Sequence, residues 1–204
     1  MFDGDKVAFT LCLTKQANDE ALAFLNDPQA YFSLEGNNQR IILNKESISG
    51  IYGLTKDDKD APPLKDNTIL QKILENALTD MRTLVDYTLD DYDEKTMKII
   101  PSKCKIESAC TYKGIKTTVG RAYFNAVTTE VLGLPFINEP CTKKVQSKLL
   151  ADADRLVLMA LEKGDKSFFT DVFIPFLDRW ERLTFACADA FGSSLDMNVY
   201  ATSK

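Results

Sequence analysis

Two long stretches of helical periodicity, Thr142 to Glu162 and Ser167 to Phe191, constrain this chain more than any other feature. A third, through Ile69, Leu70, Ile73, Leu74, Ala77, Leu78, Met81, Leu84 and Val85, predicts another helix. Between them, Lys98 to Val127 is rich in β-formers around a Lys113-Gly114 turn and reads as strands. Helices and strands are therefore segregated rather than alternating, which predicts an α+β fold with short antiparallel strands. Pro175 interrupts the last helical stretch, so a kink or a fresh helix start is expected there.

The N-terminal part reads as smaller elements. Lys6 to Leu13 is short, apolar and suited to a buried strand, after which Thr14 opens a short helix that ends before Pro28. Tyr31 to Leu34 and Gln39 to Leu43 flank Glu35-Gly36-Asn37-Asn38, a hairpin signal. Asn44 can cap a helix from Lys45 to Leu54. Lys56 to Asp66 mixes alternating charge with a proline pair and reads as a solvated linker. The acidic run at 90–94 closes the helix beyond it.

Composition limits the chemistry. The 204 residues contain no histidine, which removes Ser-His-Asp and Cys-His catalysis and any imidazole zinc ligand from within the chain. The five cysteines form no CxxC pair, so neither a zinc ribbon nor a disulfide framework is expected, and small buried hydrophobes are. No apolar run approaches the ~18 residues of a membrane span, so a cytoplasmic location without a membrane partner is expected. The net charge of −5 hides a split: Lys98 to Lys148 holds nine basic and three acidic residues, a local +6, leaving −11 elsewhere. That basic segment can meet phosphate locally, and it also suits a solvated face. The aromatic series Phe168, Phe169, Phe173, Phe176, Trp180 and Phe185 reads as core or interface rather than as a base-stacking platform.

At the N-terminus, Asp3 and Asp5 flank Gly4. In extended backbone, side chains two apart project to one side, so both carboxylates can reach one ion. Hard carboxylate oxygens with few other protein ligands suit Mg²⁺. Taken alone, the same tripeptide also suits an exposed turn.

The company this motif keeps is more specific. FDGDKVAFTLCLT, then Asn44-Lys45-Glu46 through Gly50-Ile51-Tyr52-Gly53-Leu54-Thr55, then KTTVGRAYFNAV, GLPFINEPCTKK and finally TFACADAFGSSLDMNV follow one another in order. This series resembles the largest subunit (β′) of multisubunit DNA-directed RNA polymerases. In that family the active-site loop N-A-D-F-D-G-D is followed by S-Q-D-x-x-x-G-L-Y-x-L-T, T-T-V-G-R-x-L-x-N, G-L-P with a Lys-Lys helix start, and a G-x-S segment. The stretch at 66–95 looks like an insertion.

The resemblance implies a fragment or a split subunit. Its expected fold is α+β: part of a double-psi β-barrel edge with the catalytic loop, then helices, a short antiparallel sheet and a C-terminal helical region. The corresponding divisions are 1–55 for the active-site segment, 56–97 for the linker and acidic helical insertion, and 98–204 for the basic strand-rich segment and the helices after it. Asp3 and Asp5 are the implied catalytic and metal-binding residues for two-metal nucleotidyl transfer, with Mg²⁺ as cofactor. Lys113, Lys116, Arg121, Lys143 and Lys144 are candidates for nucleic-acid or nucleotide phosphate contacts, and equally for subunit packing or a solvated face. Implied partners are β-like subunits, the remaining β′ pieces, DNA template, RNA product and NTPs.

The chain departs from the pattern at Met1, where the family has its first metal-binding Asp. A thioether is too soft to replace it on Mg²⁺. The family histidine after the loop is also missing. Split largest subunits occur in polymerases of giant bacteriophages, so the resemblance extends to a viral origin, acting in the host cytoplasm or packaged in a virion. A non-catalytic assembly module descended from the same subunit is the alternative, and an independent Mg²⁺-dependent phosphoryl enzyme is a third reading.

Overall fold

A computed structural model describes residues 8–32 and 45–191. The chain divides into two compact units, residues 1–41 and 42–204. Asp3 and Asp5, the expected hairpin beyond Phe32, and the segment after Phe191 lie outside the described residues.

In the first unit, α1 (Lys15–Leu25) starts where Thr14 Oγ1 accepts the Ala17 N–H at 3.1 Å, and α2 (Pro28–Tyr31) follows. No residue of α1 is buried. Ala8 to Leu13, expected as a buried strand, forms no ladder, and Phe9, Leu11 and Leu13 are exposed.

The second unit begins with α3 (Lys45–Thr55), which lies against α9 (Ile174–Ala190), so Lys45 to Thr55 belongs with the C-terminal helices. Their contact is close because Gly50 has no side chain. A Cβ there would stand 2.7 Å from the Thr184 carbonyl oxygen and the Ala188 nitrogen.

The periodic stretch from Ile69 to Val85 is two helices, α4 (Asn67–Glu75) and α5 (Arg82–Thr88). Polar side chains divide it. The Asn76 carbonyl takes the N–H groups of Thr79 and Asp80, and Asp80 Oδ1 accepts the Arg82 N–H at 2.9 Å. Such residues offer the backbone local partners that compete with the helical ladder. The acidic run becomes β1 (Asp91–Asp93), paired antiparallel with β2 (Lys98–Ile100).

A second hairpin joins β3 (Ala109–Tyr112) to β4 (Ile115–Thr118), with Cys110 opposite Thr117 and Thr111 opposite Lys116. Its turn is the expected Lys113-Gly114, both at positive φ. From Val119 to Val127, however, the chain is α6, not strand. Thr118 Oγ1 accepts the Arg121 N–H and starts the helix. Eight of the nine residues of α6 are buried, the polar Arg121 and Asn125 among them.

α7 (Thr129–Leu132) and α8 (Lys143–Glu162) follow. A π-helical turn, Phe168–Phe173, then leads into α9, with Pro175 in its first turn. The helical backbone runs on without a break, and Pro175, which has no N–H to donate, sits where the π-helical turn passes into the α-helix. Phe169, Phe173, Phe176 and Trp180 are buried, with consecutive ring centroids 5.8 to 6.4 Å apart, and Phe124 meets Trp180 at 6.1 Å. Of the aromatic series, these four are core, Phe168 is half-buried and Phe185 is exposed.

Gly120 marks the tightest approach in the unit: a Cβ would fall 1.9 Å from the Leu54 carbonyl oxygen. Both contacts are with backbone, which cannot rotate away. Gly120→Ala is expected to cost about 3 kcal/mol or more and Gly50→Ala about 1–3 kcal/mol in urea unfolding. Wild-type midpoints for both variants would refute these close approaches.

Candidate functional site

The sequence motifs meet around the end of α3. Thr55 closes α3, and its carbonyl oxygen accepts the Arg121 Nε–H at 2.9 Å from the first turn of α6. Arg121 Nη1 reaches the Asn138 carbonyl oxygen at 3.4 Å. Nη2 lies 2.8 Å from Asp57 Oδ1, close enough for an ion pair but without the alignment of a hydrogen bond. The guanidinium is buried and the Asp57 carboxylate is largely exposed. Arg121 therefore joins α3, the linker after it and the loop before α8.

Asn125, one turn on, holds the same loop. Its Nδ2 donates to the carbonyl oxygens of Arg121 at 2.8 Å and Ile137 at 2.9 Å. Its Oδ1 accepts the Ile137 N–H and the Thr129 hydroxyl, each at 2.7 Å. The amide thus uses both donors and both acceptor positions. Asn138 Nδ2 donates to the Lys116 carbonyl oxygen at 2.9 Å, tying the loop to β4.

Thr55 and Gln146 complete the arrangement. The Thr55 hydroxyl donates to the Ile51 carbonyl at 2.8 Å and accepts the Cys141 N–H at 2.8 Å. Gln146 Nε2 donates to the carbonyl oxygens of Cys141 at 2.7 Å and Ile48 at 3.1 Å. Gln146 Oε1 is buried and has no hydrogen-bond partner. Thr55, Asn125, Asn138 and Gln146 were not singled out from sequence. Only the Thr and Asn types within the motif strings pointed to them, since each bonds across 12 to 98 positions of chain.

The five basic candidates occupy different settings. Arg121 is internal. Lys113 Nζ is 2.7 Å from Glu130 Oε2, and that hydrogen bond raises its pKa. Lys116, Lys143 and Lys144 are exposed, with no ion-pair partner among the described residues. Lys144 lines a cleft of about 650 Å³ with Asn138, Thr142 and Lys148, against an apolar wall that includes Phe136 and Ile137. Asp3 and Asp5 fall outside the described residues, and no group of three His, Cys, Asp or Glu side chains suited to a metal occurs among those described.

Comparison with known proteins bears on this geometry. The β′ subunit of DNA-directed RNA polymerase from Dichelobacter nodosus is 24% identical over 153 residues, covering 73% of this chain and 10% of that protein. The β′ subunits of Vesicomyosocius okutanii and Buchnera aphidicola (Schizaphis graminum) are each 26% identical, covering 85% and 76% of this chain but 13% and 11% of their own lengths. This chain resembles a segment of RNA polymerase β′. It spans about a tenth of the length of these β′ relatives. No protein-family profile matches it, and no solved structure does. No helix among the described residues is long and apolar enough to cross a membrane.

The buried node has consequences for reactivity and stability. Burial pushes the thiols of Cys104 and Cys110 up to about 11 and those of Cys141 and Cys187 up to about 12, whereas Cys12 is exposed. Thiolate is the reactive form. Native labelling with a maleimide at pH 7 to 9 is expected to modify Cys12 alone among the five. All five should react in denaturant, and rapid native labelling of Cys141 would contradict its burial.

Arg121→Met leaves the Thr55 and Asn138 carbonyls without their donor, for an expected cost of about 2–3 kcal/mol. Asp57→Asn removes only a half-solvated charge and should cost less than about 1 kcal/mol. Equilibrium unfolding of the two variants gives the order, and a larger loss for Asp57→Asn would reverse the assignment.

Proposed function

We propose that this chain is a β′-like segment of a multisubunit DNA-directed RNA polymerase and contributes to its Mg²⁺-dependent nucleotidyl-transfer site. The observation that carries this reading is the β′ similarity, which extends over 73% to 85% of the chain. Within it, Asp3 and Asp5 hold the metal through hard oxygen donors that suit Mg²⁺. When bound, the ion supplies Lewis-acid activation of a hydroxyl and neutralises charge on the transferring phosphoryl group.

The rest of the chain positions and attracts. Lys116, Lys143 and Lys144 present free ammonium groups for phosphate, and Lys113 presents one shared with Glu130. Arg121 acts as a positioning residue: it fixes the loop before α8, which carries Lys143 and Lys144 at its start. The barrel-edge expectation is part of the same proposal. Ala8 to Leu13 is exposed throughout, Phe9, Leu11 and Leu13 included, as suits an apolar segment covered by another polymerase segment. DNA, RNA, NTPs and the β-like and remaining β′ pieces are its partners, in the cytoplasm of a cell or of a viral host.

A second reading is a non-catalytic assembly module descended from the same subunit. Reconstitution separates the two. The chain is combined with its candidate partner subunits, and Mg²⁺-dependent extension of RNA on a primed template is followed for wild type, Asp3→Ala and Asp5→Ala. The catalytic reading expects each variant to lose extension by about a hundredfold or more while still assembling. Full extension by both would leave the assembly role.

A further inference from the structure

We draw no further inference here: the strongest candidate, the exposed apolar surface that Phe9, Leu11, Leu13, Leu22, Phe24 and Leu25 give the N-terminal segment and α1, is unpartnered, and nothing in the structure shows what covers it.

Discussion

Arg121 carries a permanent charge into a place where only 8% of its side chain meets water, and that burial dictates what surrounds it. A guanidinium cannot shed its proton, so it must be given oxygen partners in fixed directions. The partners come from two separate parts of the chain: the end of α3 with the start of the linker, at Thr55 and Asp57, and the loop at Asn138. Gly120 lets the helix bearing Arg121 come close enough to reach the Thr55 carbonyl, because any Cβ would collide with the carbonyl just before it. Asn125 and Gln146 then repeat the device, each using a side-chain amide to hold backbone that belongs to no helix or strand.

This arrangement explains how a run of loop from Leu134 to Thr142 is held in one conformation. Its backbone groups at Ile137, Asn138 and Cys141 are bonded to buried side chains. On its outer side lie the cleft at α8 and the exposed lysines that begin that helix. Two kinds of residue therefore surround this loop. Thr55, Arg121 and Asn125 face inward and build the scaffold, and Lys116, Lys143 and Lys144 face solvent.

Several elements were legible in sequence because their signals are local. Thr14 caps α1, the periods of α8 and α9 are long, Lys113-Gly114 turns the β3–β4 hairpin, and Pro175 lies where the π-helical turn passes into α9. Others were misread where burial overrode local preference. α6 looks like a strand because nearly every side chain is apolar or β-forming, yet the Thr118 cap and burial on all sides make it helical. The division of the helix after the linker depended on Asn76 and Asp80, whose side chains and carbonyls bond locally. Of the candidate site, Lys116 and Lys144 were found as charges, while the amides around Arg121 were not. Their partners lie too far along the chain for spacing to reveal them.

The sequence by itself determined the long helices α8 and α9, the absence of imidazole chemistry, the carboxylate pair at Asp3 and Asp5, and an order of motifs that resembles β′. These are matters of residue type and neighbour spacing, which need no tertiary information. The tertiary structure decided which basic residues face inward and which remain free, since a lysine and an arginine five positions apart look alike as charges. Lys116 stays exposed on β4, and Arg121 is drawn inward because the carbonyls left at the end of α3 and in the loop before α8 require a donor that only a buried guanidinium supplies.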